Sequence, residues 1–234
     1  MFIRVDTTSA VLGGLLGSSL NYGEADCDIS SFVPSFPANQ TQLVVPTNET
    51  PSFLGVAFGV QNYTCSSSNT YTSIGAVAEI IDFSCNTSDA NFATIQNDIY
   101  AAWNAVPESE TIQDVIASVL AENPPRNLGQ HYFVTNPVTG QGVSPKWDFM
   151  ASGENKGNPD AYVVGRSVGN LASPDNSTTD VAWLELTNVE GELADTIFRY
   201  DTVNGQSPAS CTSGEDPDIS VKYSAKYLFY GGSL

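Results

Sequence analysis

One histidine, eight basic side chains and no Cys-x-x-Cys pair leave this 234-residue chain short of the chemistry that most enzymes and nucleic-acid binders draw on. Against 26 acidic residues, the eight lysines and arginines give a net charge of −18. Such a field repels polyanions and cannot neutralise a row of phosphates, which excludes nucleic acid and anionic membrane surfaces as partners. The single imidazole, His131, excludes a multi-histidine metal centre. A dinucleotide site needs a strand, a glycine-rich turn and a helix in that order. Gly13-Gly14-Leu15-Leu16-Gly17 lies near the N-terminus, and Gly140-Gln141-Gly142 sits in a turn followed by Pro145. Phosphate-loop, zinc-protease and nucleophile-elbow motifs are absent as well. No cofactor and no metal is expected, and NAD-dependent chemistry least of all. After the first 25 residues no apolar run reaches the length needed to span a bilayer.

The chain does carry four cysteines, Cys27, Cys65, Cys85 and Cys211, an even number at wide spacing. This pattern reads as two structural disulfides in an exported protein. Five Asn-x-Ser/Thr sequons, at Asn39, Asn48, Asn62, Asn86 and Asn176, agree with export and mark candidate glycosylation sites. Chance alone supplies ~3.5 such matches in a chain of this composition, so they add consistency rather than proof. Residues 1–25 read as a leader or a degenerate signal peptide. Arg4 supplies a charge and Val11 to Leu20 an apolar stretch, but Asp6 and several Gly and Ser interrupt it.

Residues 26–234 are expected to form one β-rich domain. After Cys27 a stretch rich in Pro, Ser, Asn and Thr predicts an extended arm with a short edge strand at Leu43-Val44-Val45. Alternating apolar residues then predict strands over Phe53 to Cys65 and Tyr71 to Cys85, joined by a polar hairpin. From 90 to 123 the period changes. Phe92, Ile95, Ile99, Trp103 and Val106, then Ile112, Val115, Val119 and Leu120, are spaced for an inserted helical pair broken at Pro107. Strands resume at His131 to Thr135, Lys146 to Met150, Ala161 to Val168, Val181 to Val189, Thr196 to Val203 and Ile219 to Tyr230. About nine short strands indicate a mainly β fold, a β-sandwich or a partly closed β-barrel.

Chemistry is sparse along these strands. No serine stands in a nucleophile context near a histidine. Glu79, Asp82, Asp148, Glu185 and Asp201 fall on predicted strands and are the pool for a hydrolytic carboxylate pair. Among 26 acids some must fall there by chance. Trp147, Trp183, Tyr223, Tyr227 and Tyr230 suit stacking on sugar rings, although most such aromatics pack a core. The Gly-containing segment from Val138 to Ser144 predicts an antiparallel hairpin that sets 131 opposite 147. Trp147 then shares the face of His131, and Asp148 takes the other.

Several segments carry a resemblance: Gly59-Val60-Gln61-Asn62-Tyr63-Thr64-Cys65, His131-Tyr132, Pro145-Lys146-Trp147, Trp183-Leu184, Cys211, and Val221-Lys222-Tyr223 through Tyr227-Leu228-Phe229-Tyr230. Over about residues 27–232 they resemble a family of secreted fungal and bacterial proteins of unknown function, to many of which a malate dehydrogenase label has been attached automatically. Asn204-Gly205-Gln206 stands where that family tends towards paired glycines. The resemblance implies export and the pairs Cys65–Cys211 and Cys27–Cys85. It points to His131, Trp147, Asp148, Arg199 and Tyr223 as ligand-binding candidates, or equally as a buried polar network. The combined expectation is a secreted or cell-wall-associated glycoprotein that binds a saccharide or small apolar ligand without catalysis. A carboxylate-dependent hydrolase and a purely structural surface protein are the alternatives.

Overall fold

A computed structural model describes residues 27–122 and 126–234. The expected leader, and the Pro124-Pro125 stop of the second helix, lie outside the described residues. Eight antiparallel strands close into one barrel in chain order: β1 (Pro51–Cys65), β2 (Tyr71–Asp82), β3 (Asn127–Thr135), β4 (Val143–Asp148), β5 (Tyr162–Leu171), β6 (Trp183–Gly191), β7 (Thr196–Asn204) and β8 (Ile219–Tyr230). This settles the choice left by the strand pattern against a sandwich. Helices α1 (Ile95–Ala105) and α2 (Ile112–Glu122) connect the adjacent strands β2 and β3 and lie outside the barrel, not between two sheets. Leu43-Val44-Val45 forms no strand. Leu43 is buried, and residues 27–50 run as an irregular covering segment.

Closure depends on β1, whose 15 residues pair with β2 along one edge and with β8 along the other. A strand shared this way must coil tightly. A Cβ at Gly59 would lie 2.1 Å from the Val77 carbonyl oxygen, so only glycine lets the two backbones approach here.

Strand alternation then divides the apolar residues into two cores. Inside the barrel pack Ala57, Ala78, Ile80, Trp147, Phe149, Val163, Leu186, Ile197, Tyr223, Tyr227 and Phe229. Eight strands give a lumen of about the width that side chains alone fill. The opposite faces of β1, β7 and β8 present Leu54, Val56, Phe58, Phe198, Tyr200, Leu228 and Tyr230 outwards. Such a face needs a cover. The apolar stripe of the helices, with Ile99, Trp103, Ile112, Val115 and Val119, supplies one part of it. Phe36 of the N-terminal segment supplies another, in ring contact with Trp183, Phe198 and Tyr200. The Trp103 indole N–H donates to the Gly59 carbonyl at 2.8 Å, which fixes α1 to the β1 wall.

Two disulfides close this arrangement. Cys27–Cys85 ties the covering segment to the chain just after β2, and Cys65–Cys211 joins the end of β1 to the irregular connection between β7 and β8. No helix among the described residues is long and apolar enough to cross a membrane.

Candidate functional site

The hairpin of β3 and β4 sets His131 directly opposite Trp147. Both point into the barrel, where their rings stack with centroids 4.7 Å apart and planes inclined by 17°. His131 Nδ1 lies 2.9 Å from the Lys146 carbonyl oxygen. Burial holds the imidazole neutral, with its pKa pushed down to about 3, and the nearby Arg199 charge acts in the same direction. Tyr227 packs against this pair at an angle, its ring centroid 5.6 Å from that of His131 and 5.7 Å from that of Trp147. Its hydroxyl lies 3.3 Å from that of Tyr223. Arg199 stands opposite Tyr227 across β7 and β8, and its Nε and Nη2 donate to the Ala182 carbonyl.

Four of the five candidates thus share the barrel interior. His131, Trp147 and Tyr223 are sealed there, at 2%, 1% and 0% exposure, so none offers a ring face to a sugar. Arg199 is half-buried.

Asp148 faces the other way, as alternation requires. On the outer wall it accepts from the Tyr132 hydroxyl at 2.7 Å and pairs with Lys146 at 3.0 Å. The Lys146 ammonium lies 4.5 Å from the Tyr162 ring centroid. The other acids are likewise engaged one by one. Asp82 accepts from the Ser84 amide, Glu185 from the Val44 amide, and Asp201 pairs with Lys226. Glu79 lies in the same cross-strand row as Asp148, with Gln130 between them, but it is fully buried and unreachable by a substrate.

Glu79 has a different consequence. Burial pushes its pKa up to about 8, against a hydrogen bond from the Asn127 amide at 2.6 Å that favours the anion. The folded chain then holds a proton that the unfolded chain has already lost, between pH 4.5 and about 8. Stability falls as pH rises through that window, by roughly 1.4 kcal/mol per unit at the steepest. Glu79→Gln keeps the acceptor and removes the ionisation. Its melting temperature is expected to match the wild type near pH 5 and to exceed it at pH 8. Parallel curves for the two proteins across this range would contradict the assignment.

A groove that the sequence did not signal opens on the outer wall where the helices meet the barrel. It has a volume of about 570 Å³ and lies between the β1–β8 surface and the turn joining α1 to α2. Val60, Trp103 and Ile112 supply its apolar lining, Ile219 and Val221 border it along β8, and Asn62, Asn104, Gln113, Asn204, Glu108 and Glu110 give its polar lining. Lys222 is the basic residue of the lining, and its ammonium is already bound to the carbonyls of Trp103 and Val106, at 3.1 and 2.6 Å. A cation on the last carbonyls of a helix satisfies groups that have no intrahelical partner. Asn204, at positive φ, is held by its amide to the Tyr100 hydroxyl and the Lys222 carbonyl. Asn104, Glu108 and Gln113 are exposed. These residues come from four separated segments, so no local motif announces them.

The sequons differ in access. Asn39, Asn48 and Asn176 are exposed, and Asn62 is half-buried on the groove. Asn86 is buried, with its amide nitrogen donating to Asp89 and its oxygen accepting from Arg126, so it does not present an acceptor. Among the described residues, no group of three or more His, Cys, Asp or Glu could hold a metal ion.

No curated protein and no solved structure matches the chain. A family model matches residues 46–231, more than half of the sequence, from just before β1 to just beyond β8. The chain therefore belongs to the family described as protein of unknown function DUF3455.

Proposed function

We propose that this protein is an exported, disulfide-bonded binding domain that takes a neutral saccharide in the groove between the helical pair and the barrel wall, without catalysis. The observation that carries this reading is the polar composition of that groove around an apolar floor. Side-chain amides both donate and accept, and carboxylates accept from two hydroxyls at once, which suits a ligand whose every carbon bears a hydroxyl. The C–H faces of a sugar ring suit Val60 and Ile112. With Lys222 committed to α1 and two glutamates on the rim, the groove disfavours an anionic ligand. A wholly apolar ligand would leave the amides unpaired. Two disulfides and accessible sequons support export, and the strand carboxylates Asp82, Asp148, Glu185 and Asp201, each engaged separately, give no support to hydrolysis.

Titration of neutral oligosaccharides against protein made without glycosylation tests the reading. Asn104→Ala and Gln113→Ala lie on exposed helix positions, where substitution is expected to change stability by no more than about 0.5 kcal/mol. Each is expected to weaken binding about tenfold, as the loss of one well-made hydrogen bond would. A glycan on Asn62 is expected to block the groove. Failure of every oligosaccharide, or binding indifferent to both substitutions, would overturn the proposal.

A further inference from the structure

Arg199 is one of eight basic residues in a chain of net charge −18. Lys146 and Lys226 are each paired with an aspartate, and Lys222 lies on the end of α1. Arg199 has the Ala182 carbonyl and the neighbouring Tyr227 hydroxyl, and no carboxylate within ion-pair distance among the described residues. Its position opposite Tyr227 and Leu184 places it on the inner face of the barrel. A half-buried guanidinium without a counter-ion in so acidic a molecule marks a place where an anion belongs.

Other donors converge on the same interior. The Trp147 indole N–H, on a residue only 1% exposed, has no hydrogen-bond partner, and an indole can only donate. Gln61, 6% exposed, packs beside Tyr223 and hydrogen-bonds to its hydroxyl. Buried donors left without acceptors are uncommon in native folds and call for a ligand atom. At this end the interior also reaches solvent. Phe133, two residues along β3 from His131 and in ring contact with it, is half-buried, as are its partner Pro145 and the inward Leu184. Polar donors inside and apolar side chains at the mouth suit a ligand with an acidic head and an apolar body.

We propose that the open end of the barrel binds a small organic carboxylate, its carboxylate received by Arg199 and its apolar body lying against Phe133 and Leu184. This site is separate from the saccharide groove and stands or falls independently of it. The guanidinium is the natural partner because it offers paired donors to a carboxylate.

The test is a titration of the full chain with benzoate, butyrate and inorganic phosphate, reading the indole N–H resonance of Trp147 and the melting temperature. Benzoate and butyrate are expected to shift both saturably, and phosphate, lacking an apolar body, neither. Arg199→Gln is expected to weaken benzoate at least about tenfold. Arg199→Lys, which keeps the charge if the first variant does not fold, is expected to give an intermediate loss. A Trp147 resonance that stays still under benzoate, an equal response to phosphate, or undiminished binding by the Arg199→Lys protein would each overturn the proposal. None of these outcomes bears on saccharide binding, because the groove residues are not altered.

Discussion

Serine at both Cys65 and Cys211 is expected to remove about 4–5 kcal/mol of unfolding free energy. The bond spans 146 residues of sequence, and the chain-entropy cost of leaving that loop open is about 5 kcal/mol at most. It also anchors a segment with few other constraints. Between β7 and β8 the chain is irregular over residues 206–218, held by the Cys211 amide on the Asn69 carbonyl at 3.1 Å and the Ser213 amide on the Asn69 side chain at 2.9 Å. Without the disulfide, the end of β1 and the entry to β8 are free to part at the seam that closes the barrel. Urea unfolding of the variant should show a lower midpoint and a steeper slope, because the unfolded chain without this cross-link exposes more surface. A loss below about 1 kcal/mol would mean that barrel pairing alone fixes this segment.

Asp201→Ala is expected to cost about 3–5 kcal/mol, and Lys226→Met less, because Asp201 is the more exposed partner. Lys226 is 1% exposed beneath the helices and the covering segment. Its ammonium pairs with Asp201 at 2.8 Å, donates to the Ala93 carbonyl at 3.2 Å and lies 4.6 Å from the Phe92 ring centroid. Removing the aspartate leaves a buried cation uncompensated, and removing the cation leaves an aspartate that can turn to water. Asp201 has a φ of 47°, at the register shift between Tyr200 and Val203 in β7. Alanine there adds backbone strain to the lost charge, since aspartate tolerates the left-handed region better. Thermal unfolding of the two single variants checks the asymmetry. Equal losses from both would show that the pair acts by attraction rather than by satisfying a buried charge.

The strand pattern made much of this fold legible, and the reasons can be located in particular residues. Ile219 to Tyr230 alternates so cleanly that its bounds and its lumen-facing set, Tyr223, Ala225, Tyr227 and Phe229, follow from parity, whereas the burial of Ser224 and Lys226 on the other face does not. The hairpin facing His131 with Trp147 followed from loop length, and the opposite placement of Asp148 from the pleat. Closure was not legible, because inward and outward residues alternate identically in a sandwich and a barrel. What separates them is that Val56 pairs with Ile81 on one side and Lys226 on the other, a long-range fact with no local trace. Leu43 to Val45 looked like a strand because apolar residues pack equally well as an irregular cover, here beside β6, where the Val44 amide donates to Glu185. The aromatic candidates were found, but the sequence could not say that Trp147 and Tyr223 face a sealed lumen. The groove escaped notice because Asn62, Asn104, Asn204 and Lys222 come together only when the helices fold back over the β1–β8 wall.

The central claim is that the polar groove on the outer wall, and not the barrel interior, receives a saccharide. Side-chain amide resonances of Asn62, Asn104, Gln113 and Asn204, followed during titration with a neutral oligosaccharide that binds, test it most directly. These four are expected to shift together and saturate at one dissociation constant while the Trp147 indole stays fixed. Saturable movement of the Trp147 indole with the four amides unmoved would contradict the account.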